Sequence, residues 1–134
     1  TSWLHSFTPA INYYLREELN FKTDLKYMMF GPVHPWDRSG DHTGENLRQA
    51  MAQNPNLDVM IQSGYFDGAT TYFNAKYSMW QLDPSGKMKD RLSFKAYRSG
   101  HMMYLRKDDL QQANDDLREF ILKSLPKENE PAKY

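Results

Sequence analysis

Two polar residues follow short apolar runs in a pattern typical of a catalytic acid and base. Residues 57–64 form an apolar run that ends in glycine, and Asp67 comes three residues later. Residues 92–97 form a second run, and His101 follows it after Arg98, Ser99 and Gly100. A buried aspartate beside a histidine holds the imidazole in one tautomer and stabilises its protonated form, two of the roles in a nucleophile–histidine–acid triad. The pair therefore predicts a general base, His101, oriented by Asp67.

The elements that must position this pair alternate between strand and helix. Strands are predicted over 57–64 and 92–97, with a helix over 70–82 between them and another from Asp108 onwards. This order implies a parallel pair of strands with a right-handed crossover, the unit of an α/β fold. Both carboxyl ends of such a pair lie at one edge of the sheet, where α/β folds place their chemistry. We therefore expect the two side chains to lie within hydrogen-bonding reach there.

The two predicted helices, over 70–82 and from Asp108 onwards, carry apolar stripes. The stripe of the first, which is aromatic, is expected to pack against the sheet rather than form a ligand platform. It consists of Tyr72, Phe73, Tyr77 and Trp80. The stripe of the second, typical of an amphipathic helix, consists of Leu110, Ala113, Leu117, Phe120 and Ile121.

The first part of the chain is predicted to be helical and irregular. Thr8 and Pro9 fit an N-cap and a first helical residue, and this helix would end near Asn20. Residues 24–30 fit either a short strand or a helical turn, and 31–44 an irregular loop.

A second predicted helix carries Leu47, Ala50 and Met51 on one face and stops at the pair Asn54-Pro55. From this order of elements we expect residues 1–134 to form a single unit. Its segment 1–56 is helical and irregular, and its segment 57–125 is strand, helix, strand, helix.

Composition and charge argue against several classes of partner. Seventeen basic residues balance seventeen acidic ones, so no net field favours nucleic acid or an anionic membrane. No apolar run approaches the roughly 18 residues that cross a bilayer. The sequence has no cysteine, which excludes disulfides, thiolate metal sites and a cysteine nucleophile. We expect neither a nucleic-acid nor a membrane partner.

One loop has a composition loosely like that of a metal site. Its candidate ligands are His34, Asp37, Asp41, His42 and Glu45. Their spacing matches no recognised metal motif. A solvated loop is the better interpretation, and no metal or organic cofactor is expected.

The residues around the acid and the base resemble a known family. Residues 63–73 (SGYFDGATTYF) and 99–104 (SGHMMY) are similar to the C-terminal part of the serine carboxypeptidases, and of their bacterial members in particular. The glycine-x-x-aspartate of that family carries the triad acid, which corresponds to Asp67, and its glycine-histidine-methionine carries the base, which corresponds to His101. The resemblance runs from about residue 8 to residue 122.

This resemblance implies an α/β-hydrolase fold, a peptide substrate, hydrolysis through an acyl-enzyme and no cofactor. It also favours a periplasmic or secreted location. Tyr65, Phe66 and Met102 flank the acid and the base and are candidate substrate contacts, although packing explains each of them equally well. Eukaryotic members have an aspartate where this chain has Tyr65, which again favours the bacterial branch.

The family's nucleophile lies in a glycine-x-serine-x-glycine elbow, and this sequence contains no such pentapeptide. We therefore expect the chain to be the C-terminal piece of a hydrolase, inactive alone, with two triad members of three. Its partner would be the missing N-terminal portion or a second copy. The alternative is a non-catalytic binding or interaction module that keeps part of a hydrolase scaffold.

Overall fold

A computed structural model describes residues 2–28 and 31–131 of the chain. The chain separates into two units, Thr1–Ser39 and Gly40–Tyr134. The boundary between the units lies in the loop before the second predicted helix. The sequence instead changes from helix and loop to alternating strand and helix after residue 56. Each unit is described by itself.

The first unit contains helix α1, Ser2–Tyr13, which continues as a π-helical turn, Tyr14–Glu18. Pro9 lies inside α1, so the prediction that Thr8 is the N-cap and Pro9 the first helical residue is wrong. The helix continues through Pro9 although a proline removes one backbone hydrogen bond. The residues before Pro9 include no glycine or proline that would stop the helix there. Asn20 adopts a left-handed conformation with φ 51° just after the helix, as its predicted position at the helix end suggests.

The rest of the first unit is irregular. Residues 24–28 form neither a helix nor a strand. The predicted short strand or helical turn at 24–30 is therefore absent there, and its last two residues lie outside the described part of the chain.

The second unit has the predicted order of elements. These are α2 Thr43–Gln53, β1 Val59–Gly64, α3 Tyr72–Leu82, β2 Leu92–Tyr97 and α4 Lys107–Ser124. The two strands pair in parallel, in a register that runs from Val59 opposite Leu92 to Gly64 opposite Tyr97. The result is a mixed helix and strand fold around a two-stranded parallel sheet, compatible with the α/β class. None of the described helices is long and apolar enough to cross a bilayer.

A polar layer joins the sheet to α4. Asp116 accepts hydrogen bonds from Lys95 Nζ at 2.9 Å and from the Tyr97 hydroxyl at 2.8 Å. Gln62 Nε2 donates to the same tyrosine oxygen at 2.9 Å and to the Ala113 carbonyl at 3.0 Å. The sheet therefore presents hydrogen-bonding groups to α4 rather than an apolar face.

This polar layer turns the apolar stripe of α4 away from the sheet. The buried residues of α4 are Asp109 and Asp116, with Ala113 and Phe120 half-buried beside them. Leu110, Leu117 and Ile121 are exposed. The amphipathic helix is confirmed, but only part of its apolar stripe faces the sheet.

Helix α3 lies on the opposite face, because Phe94 contacts α3 while its neighbour Lys95 contacts α4. The Lys76 ammonium lies 5.5 Å from the centre of the Phe94 ring. Phe73, Tyr77 and Trp80 are 62%, 52% and 49% exposed. The expectation that they pack on the sheet is therefore wrong.

The half-buried face of α3 consists instead of Tyr72, Ala75, Lys76, Met79 and Leu82, which recur at helical spacing. A sheet of two strands is narrow, so it covers only one face of a helix that lies on it. Among the described residues, Met51 and Tyr97 are the buried apolar side chains, and Met51 belongs to the face of α2 that the sequence predicts.

Candidate active site

The segments that follow the two strands run side by side beyond the sheet. Tyr65 N donates to the Tyr97 carbonyl at 2.9 Å, and Phe66 N donates to the Ser99 carbonyl at 2.9 Å. These bonds extend the parallel ladder. They carry the chain to Asp67 on one side and towards His101 on the other.

Gly64 allows the two segments to come this close. A Cβ atom at this position would lie 2.6 Å from the Ser99 carbonyl oxygen, and it would also overlap the Gly100 carbonyl. Real Cβ atoms do not approach backbone oxygens that closely, so any side chain here would push the loop before His101 away.

Asp67 and His101 meet at this edge of the sheet. His101 Nδ1 lies 2.9 Å from Asp67 Oδ2, which confirms the predicted proximity. Asp67 is only 7% exposed. An ionised carboxylate can only accept hydrogen bonds, so Nδ1 carries a proton and Nε2 is the free basic nitrogen when the ring is neutral.

A short loop saturates the Asp67 carboxylate. Ala69 N and Thr70 N donate to Oδ1 at 2.8 and 3.0 Å, and the Thr70 hydroxyl donates to Oδ2 at 2.6 Å. The Thr70 hydroxyl and amide hold the pKa of Asp67 well below its usual range, with smaller contributions from His101 and Ala69, while burial opposes them. Asp67 is therefore ionised at neutral pH.

The imidazole itself is open to solvent. The His101 side chain is 58% exposed, and Tyr104 is 54% exposed. Met102 and Tyr104, which follow the histidine in the sequence, therefore do not shield the ring from bulk water in the described chain. Because packing does not hold the ring, its orientation depends on its polar contacts.

The three candidate substrate contacts differ in exposure. Tyr65 is 57% exposed and packs edge-on against Tyr72, with 5.1 Å between ring centres. Phe66 is 74% exposed. Met102 is half-buried just before the short turn Met103–Leu105. Phe66 is thus the large apolar side chain next to the acid that is most available to a ligand.

Sequence reasoning missed Thr70, which was interpreted only as the first residue of a helix. Its signal was present as the spacing aspartate-x-x-threonine from Asp67 to Thr70. An aspartate commonly accepts bonds from groups two and three residues later in the chain.

Two carboxylates of the candidate metal loop bond to residues close to them in the sequence. Asp41 accepts the Thr43 hydroxyl at 2.9 Å, and Glu45 pairs with Arg48. Hydrogen bonds from Arg48 and then Gln49 lower the pKa of Glu45 to about 2. Across residues 2–28 and 31–131, no three histidine, aspartate or glutamate side chains group as a metal site requires.

Within the part of the chain that the structure describes, the side chains hydrogen-bonded to His101 are those of Asp67 and Thr70. No serine is among them. A scan against models of known families finds no match, and searches of curated proteins and of solved structures find none either.

Proposed function

We propose that this chain is the C-terminal part of a serine-type carboxypeptidase with an α/β-hydrolase fold, in which it supplies the triad acid and base. One observation carries the proposal. A buried, ionised Asp67 lies 2.9 Å from Nδ1 of an exposed His101, where the segments after two parallel strands meet. This is the arrangement that orients a general base and leaves its Nε2 free.

In the proposed reaction, the nucleophile is a serine outside this sequence. Its oxygen attacks the carbonyl carbon of the peptide bond while Nε2 of His101 takes the hydroxyl proton. The carbon–nitrogen bond then breaks, and His101 gives the proton to the leaving amine. Water hydrolyses the acyl-enzyme by the same steps, and the serine regains its proton.

Asp67 stays ionised throughout and stabilises the imidazolium that forms in each half of the reaction. Phe66 and Tyr65 lie exposed beside it and would contact apolar parts of the peptide, with Met102 behind the base. No metal or organic cofactor takes part in this chemistry.

The test uses the natural protein that contains this sequence and a fluorophosphonate probe, which reacts with activated serines. We expect one serine within a glycine-x-serine-x-glycine elbow to be labelled, and His101→Ala to abolish the labelling. The isolated 134-residue chain should not be labelled. A natural protein that has no elbow and is not labelled would contradict the proposal, as would labelling of a serine within the isolated chain.

A second candidate function, a non-catalytic interaction module, is favoured by the exposed aromatic side chains of α3. Phe73 and Trp80 pack edge-on with 5.9 Å between ring centres, and both remain about half exposed or more. Exposed apolar clusters of this kind mark interaction sites. The reading frame upstream of Thr1 discriminates between the two, since an encoded serine elbow supports the enzyme and an immediate start codon supports the module.

A further inference from the structure

The hydroxyl of Thr70 contacts both members of the acid–base pair. Its oxygen lies 2.6 Å from Asp67 Oδ2 and 3.4 Å from His101 Nδ1. Since Nδ1 is itself 2.9 Å from Oδ2, the three atoms form a closed triangle. Such a triangle ties the position of each group to that of the other two.

The protons in this triangle can be assigned from the chemistry of the groups. The carboxylate has none to give, so the one hydroxyl proton of Thr70 points to Oδ2. The lone pairs of the hydroxyl oxygen are then left for the Nδ1–H of His101. That N–H thus has its main acceptor in Asp67 and a second, longer contact to Thr70.

The other contacts of the pair make this hydroxyl important for orientation. Oδ1 of Asp67 is fixed by two backbone amides, but Oδ2 is bonded only to Thr70 and His101 among the described residues. The His101 ring is 58% exposed and has little packing to hold it. Without the hydroxyl, the carboxylate can turn about its fixed oxygen, and the imidazole can follow it.

We propose that Thr70 is a positioning residue whose hydroxyl fixes Oδ2 of Asp67 and thereby keeps His101 in the tautomer with its proton on Nδ1. The inference deepens the proposed function and rests on it for its catalytic meaning. Its structural content, a tautomer imposed by a threonine, is a property of this chain alone and needs no nucleophile.

The test is ¹⁵N NMR of the His101 ring in the 134-residue chain, at a pH where the ring is neutral. The two ring nitrogens have different shifts with and without a proton, so the spectrum reports the tautomer directly. We expect Nδ1–H to predominate in the wild-type chain. We expect Thr70→Val, which keeps the shape of the side chain but loses the hydroxyl, to lower the ratio of Nδ1–H to Nε2–H roughly two- to tenfold, as loss of one hydrogen bond implies.

Thr70→Ser restores the hydroxyl and should restore the wild-type ratio, which a merely packing role of the threonine would not. The backbone amide spectrum shows whether each variant is folded. If Thr70→Val is unfolded, Thr70→Ala, which also lacks the hydroxyl, takes its place. A wild-type ring with its proton on Nε2, a folded Thr70→Ser that loses the Nδ1–H tautomer, or a folded Thr70→Val with an unchanged ratio would each overturn the inference.

The proposed function can fail independently of this result. If the natural protein is not labelled by the fluorophosphonate probe but the tautomer responds to Thr70 as expected, the positioning role stands and the peptidase role falls. If the natural protein is labelled but the tautomer ratio is unchanged in Thr70→Val, the peptidase role stands and the positioning role falls.

Discussion

Gly64 and Ser99 lie so close together that a Cβ on Gly64 would be 2.6 Å from the Ser99 carbonyl oxygen. Two residues later, Phe66 N donates to that same oxygen at 2.9 Å. The close approach at Gly64 therefore precedes, on both segments, the contact between Asp67 and His101.

We expect Gly64→Ala to displace the loop before His101, to lengthen the Asp67–His101 contact and to destabilise the chain by about 1–3 kcal/mol, as overpacking typically does. Denaturant unfolding measures the free energy, and the His101 tautomer reports the contact. Gly68→Ala is the matched control, because a Cβ there meets no atom within 4 Å. Equal effects of the two substitutions would contradict this role of Gly64.

Asp116 is expected to make the stability of the chain sensitive to acid. Burial alone would raise its pKa, but the hydrogen bonds from Lys95 and Tyr97 outweigh burial and lower the pKa below its ordinary value of 3.8. A carboxyl whose pKa is lower in the folded chain contributes its full stability above the ordinary value. That contribution is lost as the pH falls through the lower, folded value.

Asp116→Asn should therefore cost about 1–3 kcal/mol at neutral pH, because it leaves a buried donor without its acceptor. It should also flatten the loss of stability below pH 4, which urea unfolding at several pH values measures. Asp115→Asn is the control, since among the described residues Asp115 bonds only to Gln111, on the exposed side of the helix. An unchanged acid profile in Asp116→Asn would contradict the prediction.

Tyr97 gives a separate, alkaline signature of the same polar layer. Burial, reinforced by the bond to Asp116, raises the pKa of Tyr97 to about 12 from an ordinary value of 10.0. Because this pKa is raised on folding, the linked stability is full below pH 10 and is lost as the pH rises towards 12. Tyr97→Phe should remove an absorbance step of tyrosinate near pH 12, and Tyr104→Phe should leave that step in place. If the absorbance step persists in Tyr97→Phe, it belongs to another tyrosine and the prediction is wrong.

The sequence predicted the order of elements in the second unit and the meeting of Asp67 with His101 because both depend on chain order. A strand–helix–strand unit pairs its two strands in parallel, so the carboxyl ends of both strands share one edge of the sheet. Apolar periodicity located α3 and α4, whose predicted starts are within two residues of those observed.

The sequence did not predict which helix faces are covered. Periodicity shows that Phe73, Tyr77 and Trp80 share a face of α3, but it does not show how wide the neighbouring sheet is. In α4, the bonds of Asp116 to Lys95 and Tyr97 decide the orientation, and such long-range pairs leave no periodic signal. Thr70 differs, because its bond to Asp67 has a local signal in the sequence, whereas its contact with His101 depends on where that residue arrives from another strand.

The exposed stripes of α3 and α4 lead to an expectation of association. Leu110, Leu117 and Ile121 are 49%, 42% and 49% exposed on α4, in addition to the exposed aromatic residues of α3. Within the described part of the chain, each of the two strands also has an unpaired edge, which favours further strand pairing. We expect the purified chain to form a homodimer at micromolar concentration. Where the rest of a larger hydrolase is present, we expect the chain to bind it instead.

Light scattering on the purified chain measures this association, and a double substitution tests where it occurs. Phe73→Gln with Trp80→Gln removes the large apolar groups of the α3 stripe and should shift the chain towards the monomer. Trp36→Gln is the control, because Trp36 is also exposed, at 66%, but belongs to the first unit. A monodisperse wild-type monomer with a sharp, reversible melt would show that the described elements close a sufficient core unaided, and the expectation would be wrong.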